Sequence, residues 1–259
     1  MTALDNLFKT PGTKLIGYVP AGFPTIEGAK EIIKAMVDGG VDAIEVGFPY
    51  SDPIMDGPTI QAAADKALAN GTSASDVLKT LEFAAKLVPA VIMSYWNPIE
   101  KYGVEKFATD MAAAGGSGTI TPDLTFDEAD KWLSSCKTNS LNPIFVIAPS
   151  TTDARLEKVL ANCGGFVYAA SLMGVTGART EISNAAETLV NRARKFTTLP
   201  IAVGLGVSTP EQAAGVAKFA DGVIVGSAFI NAVQKAANFT EGLVAVEKLA
   251  QELKSGITG

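Results

Sequence analysis

The chain has no histidine, only two cysteines and no run of lysine or arginine. Without imidazole, proton transfer falls to carboxylates, Lys, Tyr or Cys, and a His-ligated metal site is excluded. Cys136 and Cys163 show neither metal nor redox spacing, so two reduced thiols in a cytoplasm are the simplest account. A net charge of −6 over 259 residues argues against nucleic acid or an anionic membrane as partner. Any anionic substrate must then be held by local N–H donors. No apolar stretch approaches the length of a membrane span, and residues 1–20 lack the layout of a signal peptide. The expected location is cytoplasmic.

What is present is a cadence. Hydrophobic, β-rich runs occur at 14–22, 43–46, 89–98, 117–123, 142–150, 165–171, 199–206 and 221–228. Helical patterns follow them in turn: 25–36, then 58–69 with 74–87, then 104–114, 126–135, 152–161, 181–195, 210–218 and 228–238. Pro98 is expected to break the third β run. A short amphipathic lead-in covers 3–9 and a last helix 240–254. Caps are expected at Thr25, at Ser73 or Ser75, and at Thr151 or Thr152, with a stop at Gly39-Gly40. Alternating β and α segments mean right-handed βα units around a parallel sheet. Eight of them, without linker or composition shift, match one (β/α)8 barrel, an α/β fold with extra N- and C-terminal helices. Residues 1–259 read as a single domain. A doubly wound open sheet is the alternative, but it would normally carry a GxGxxG turn after its first strand, and Val19-Pro20-Ala21-Gly22 is not one.

In such a barrel the active site is built from the loops after the strands. The informative residues are therefore Tyr18, Glu45 with the loop to Asp56, Tyr95-Trp96-Asn97, Asp123, Tyr168 and the Gly-rich turns after the last three strands. The stretch from Ala43 to Gln61, AIEVGFPYSDPIMDGPTIQ, stands out. Glu45 lies in an otherwise apolar strand, where a carboxylate is costly to bury. A satisfied core acid is the plain reading; an acid with a task is the other. If Ile44 and Val46 face the helices, Glu45 points into the barrel mouth, and burial there should raise its pKa toward a value suited to proton transfer. Asp56 sits in a loop stiffened by Pro49, Pro53 and Pro58, but Asp56-Gly57 is also a plain turn signal. Spacing alone leaves its role open. Tyr95 and Trp96 read more readily as wall than as catalyst.

The turns Gly174-Val175-Thr176-Gly177, Gly204-Leu205-Gly206 and Gly226-Ser227 form a set. Glycine lets the backbone approach an anion, and a helix N-terminus offers unpaired N–H groups at the positive end of its dipole. Together they suggest a phosphate seat, which would suit an acidic chain with no basic patch.

These residues carry a strong resemblance. IEVGFPYSDPIMDGPTIQ resembles the signature of the tryptophan synthase alpha subunit family, and VPAGFP, YWNP, ITPDL, GVTGAR, GLGVSTPEQ and GSAF follow in that family's order. The resemblance implies a lyase that cleaves indole-3-glycerol phosphate to indole and glyceraldehyde 3-phosphate in tryptophan biosynthesis. It implies no cofactor in this chain and no metal. It also implies a beta subunit that carries pyridoxal phosphate, receives the indole and assembles with this chain as an alpha2beta2 heterotetramer. By the same likeness Glu45 shuttles protons and Asp56 bonds the indole N–H. Tyr18, Tyr168 and Thr176 would contact substrate, while Gly177, Gly206, Gly226 and Ser227 would seat its phosphate. The segment YAASLMGVTG departs from the family's commoner YLLSRSGVTG. A phosphosugar isomerase or epimerase on the same scaffold would share the Gly turns but not the SDP-x-x-DGP loop. A non-catalytic subunit that only activates a partner would tolerate loss of Glu45.

Overall fold

The structure, a computed structural model, describes residues 1–170, 179–204 and 206–258. Every strand pairing in it is parallel: β1 (Lys14–Pro20) with β2 (Ala43–Gly47), and onward through β3 (Ala90–Met93), β4 (Gly118–Ile120) and β5 (Asn142–Ile144). On its other edge β1 pairs with β9 (Gly222–Val225), then β8 (Ile201–Gly204), β7 (Val167–Ala170) and β6 (Val146–Ile147). The order β5-β4-β3-β2-β1-β9-β8-β7-β6 thus ends on two segments separated by Phe145 alone. They are the halves of one strand, the expected fifth, which bonds β4 with its first half and β7 with its second. That step closes the sheet, and the open-sheet alternative falls away.

Helices cover the outside. They are α1 (Ala3–Leu7), α2 (Ile26–Asp38), α3 (Pro58–Ala69), α4 (Ala74–Ala85), α5 (Trp96–Tyr102), α6 (Val104–Ala113), α7 (Asp130–Asn139), α8 (Asp153–Ala161), α9 (Arg179–Ala193), α10 (Pro210–Ala217), α11 (Ser227–Lys235) and α12 (Phe239–Thr258). The Thr25 side chain accepts from Gly28 N–H at the start of α2, Ser73 and Asp76 form a capping box on α4, and Thr152 caps α8. Two expectations need correcting. Pro98 does not break the chain; it sits in the first turn of α5, where a missing N–H costs no hydrogen bond. The helix expected at 126–135 is a single tight turn, Phe126–Glu128, followed by α7, which runs on to Asn139.

Two apolar layers result from strand alternation. Ile16, Ala43, Val91, Ile120, Ile144, Ala202 and Ile224 fill the lower barrel together with Leu4 of α1 and Phe166, so the lead-in helix plugs the bottom. Leu15, Val19, Ile44, Val46, Ile92 and Val203 point the other way into the helices. The lower ends of the strands are pinned by carboxylates. Asp42 accepts from Leu15 N–H at 2.7 Å and from Lys254, and Asp221 accepts from Ile201 N–H and Arg194, both at 2.8 Å. With the bottom of the barrel filled and fixed, the inward side chains above that layer face the upper mouth.

Candidate active site

Because Ile44 and Val46 pack against the helices, Glu45 points inward, as alternation requires. It pairs with Tyr18 on one side and Val91 on the other. The side chain is 1% exposed, and its Oε1 has no hydrogen-bond partner among the described residues. The plain reading of a satisfied core acid therefore fails. Burial alone pushes its carboxyl up to about 8, so at neutral pH it holds its proton.

Above it lies a cavity of about 170 Å³, lined by Tyr18, Glu45, Asp56, Tyr168, Gly206, Gly226 and Ser227, with Met93, Val146 and Ile60 as apolar wall. The structure thus brings Asp56 to the same mouth, a convergence that spacing left open. Burial raises its pKa as well, and the neighbouring Tyr95 hydroxyl works against that rise. The loop that carries Asp56 is tied down: Gln61 Nε2 donates to the Asp56 carbonyl at 2.6 Å, and Met55 N–H donates to Tyr95 Oη at 2.9 Å.

Tyr18 and Tyr168 flank the acids. Burial moves both phenols above their ordinary value, and the neighbouring carboxylates add to the shift. Their rings fit because three inward positions lack a side chain. A Cβ on Gly47 would strike the Tyr18 ring, one on Gly226 would lie 3.0 Å from Tyr18 Cδ1, and one on Gly204 would lie 2.5 Å from Tyr168 Oη. Glycine at these three strand ends makes room for tyrosine as much as for ligand.

Gly206 adopts φ +67°, a conformation that favours glycine. Gly226 stands at the start of α11, which has no side-chain cap among the described residues. Gly206, Gly226 and Ser227 all line the cavity. Thr176 and Gly177 lie outside the described residues. A wider depression of about 710 Å³ opens elsewhere, beside Phe8, Thr13 and Lys218, but its Arg194 and Asp221 pair with each other.

Among the described residues, an unpartnered acid, a second carboxylate and an uncapped helix N-terminus share one barrel mouth. A sequence profile described as "Tryptophan synthase alpha chain" matches residues 4–258. The chain belongs to the tryptophan synthase alpha chain family. The alpha chain of Salinispora arenicola is 55% identical over 244 residues, covering 94% of this chain and 91% of its own length. That of Streptomyces coelicolor is 51% identical over 247 residues, covering 95% and 91%. A solved Mycobacterium tuberculosis tryptophan synthase chain superposes with TM-score 0.91 at 46% identity, over 99% of this chain and 98% of that one. The barrel of this family member is thus the family's barrel.

Tyr95, just behind the cavity, is the residue that sequence reasoning undervalued. It reads as wall, and only its bond to the Asp56 loop, 40 positions away in the chain, shows otherwise. The pairing of Gly47 and Gly204 with tyrosines on neighbouring strands is likewise invisible in the chain order.

Proposed function

We propose that Glu45 and Asp56 carry out the family's reaction in this chain, the retro-aldol cleavage of indole-3-glycerol phosphate to indole and glyceraldehyde 3-phosphate in tryptophan biosynthesis. The observation that carries this reading is the buried Glu45, unpartnered among the described residues, opening on the same cavity as Asp56. The chemistry needs a proton delivered to indole C3, which makes the ring nitrogen positive. The glycerol hydroxyl on the adjoining carbon then loses its proton and becomes the aldehyde. The C3–carbon bond breaks, and its electron pair returns to the ring. One proton is gained at C3 and one is lost from oxygen, so a single carboxyl can do both steps in turn. A Glu with a pKa of about 8 starts protonated at pH 7, acts as the acid, and is then the base that receives the hydroxyl proton. Asp56, carboxylate form, accepts the indole N–H and stabilises the charge that develops there.

Tyr18 and Tyr168 sandwich the substrate between the two acids and the phosphate seat. Gly206, Gly226 and Ser227 hold the phosphate through backbone N–H groups, helped by the dipole of α11. By the family likeness Thr176 would contact the substrate and Gly177 its phosphate. Residues 1–259 act as one domain.

An alpha chain of this family has no cofactor of its own; pyridoxal phosphate resides in the beta subunit. The chain's partner is that beta subunit, in an alpha2beta2 heterotetramer to which indole passes. No helix among the described residues is long and apolar enough to cross a membrane. The composition supports a cytoplasmic enzyme acting on a small phosphate ester, with neither nucleic acid nor membrane as partner.

The test is Glu45→Gln in the full chain, assayed for indole release from indole-3-glycerol phosphate. Turnover should fall by roughly 10²–10⁴-fold or more, the scale of one general acid–base group. Undiminished indole release would remove Glu45 from the reaction and favour a merely activating subunit.

A further inference from the structure

Asp56 reaches the mouth on a loop, and such a side chain is placed only as well as the residues that anchor it. Tyr95 is one of these anchors. It is 4% exposed, and its Oη accepts the Met55 N–H at 2.9 Å, beside Asp56, whose carboxyl pKa the phenol draws down. A phenol oxygen that accepts from Met55 keeps its own O–H available to the neighbouring carboxyl.

Tyr95 is itself held from two further directions. Its ring packs on Tyr50 with centroids 5.4 Å apart, and the Tyr50 hydroxyl accepts from Asn97 Nδ2 at 3.0 Å. Tyr95 also stands immediately before α5, whose first N–H, that of Trp96, points at both oxygens of Asp123 at 2.9 and 3.1 Å. A carboxylate there fixes the helix start and hence the direction in which Tyr95 leaves it.

We propose that Tyr95 is a positioning residue: fixed by the Tyr50 stack and the Asp123 cap, its hydroxyl holds the Met55–Asp56 segment so that the Asp56 carboxylate faces the substrate. This rests on the role given to Asp56 above. Tyr95 does not line the cavity, so it acts through Asp56 and not on the reacting atoms.

The experiment is a double-mutant cycle in the full chain with Tyr95→Phe, Asp56→Asn and the pair, measuring indole release across pH and thermal unfolding. Phenylalanine keeps the ring stack, so the fold should persist. Tyr95→Phe should lower kcat by about 10- to 100-fold, the low end of what a displaced catalytic group costs, with KM changed by less than about threefold. The acid limb of kcat/KM should move to higher pH, because Asp56 loses the phenol hydroxyl that draws its pKa down. Its other titratable neighbours in the mouth, Glu45, Tyr18 and Tyr168, are unaltered. In the Asp56→Asn background the same change should cost less than about twofold, since residues acting as a unit are non-additive. Wild-type kcat and pH profile in Tyr95→Phe, or losses that multiply in the double variant, would overturn the inference while leaving Asp56 in place. Full activity in Asp56→Asn alone would overturn both.

Discussion

A Cβ placed on Gly204 would stand 2.5 Å from the Tyr168 hydroxyl oxygen and 3.0 Å from Cζ. The tyrosine ring of β7 thus occupies the space that glycine leaves on β8, and both residues line the cavity. Gly204→Ala should displace the ring and cost about 1–3 kcal/mol of stability, as overpacking usually does, with a fall in kcat/KM of at least about tenfold. Thermal unfolding and an indole assay check this. An alanine variant matching the wild type in both would mean the ring has room to spare.

Glu45 should trade stability for activity. The folded chain keeps its proton to about pH 8, whereas an ordinary glutamate releases it near 4.5. Between those values the folded state binds more protons than the unfolded one, so stability falls as pH rises through that window. Glu45→Gln removes the ionisation. The variant should therefore be more stable than the wild type at pH 9, by an amount on the order of a few kcal/mol, and the gap should shrink toward pH 5. A gap independent of pH would mean that Glu45 is not held protonated.

The sequence legibility of this site is uneven, for physical reasons. The βα cadence is plain because Gly and Pro punctuate each strand and caps such as Thr25 and Ser73 act locally. The inward direction of Glu45 is also local, since it follows from alternation with Ile44 and Val46. Asp56 is different. Its path over the mouth depends on Tyr95 and Gln61, and the Tyr95 bond spans 40 positions of chain. Nor could local pattern show that the fifth strand changes neighbours at Phe145, because closure of a barrel is a property of the whole sheet.

The phosphate seat can be tested without disturbing the fold. Ser227 is the first residue of α11, where an acid interacts favourably with the helix dipole by about 0.3–1 kcal/mol. Ser227→Asp should preserve thermal stability yet raise KM for the phosphate ester by about tenfold or more, since a negative charge would occupy the anion site. Unchanged KM would place the phosphate elsewhere.

The pH dependence of turnover follows from the same acid. Protonated Glu45 is needed to start the reaction, so kcat/KM should fall as pH rises through about 8. A flat profile between pH 7 and 9.5, measured with an indole assay, would count against that role.

The most direct test is a titration of the Glu45 carboxyl by carbon-detected NMR in the folded chain, with Glu45→Gln identifying the signal. A midpoint near 8 is expected, matching the alkaline limb of kcat/KM. A midpoint near the ordinary glutamate value of 4.5 would contradict the account, because the carboxyl would then have no proton to give at neutral pH.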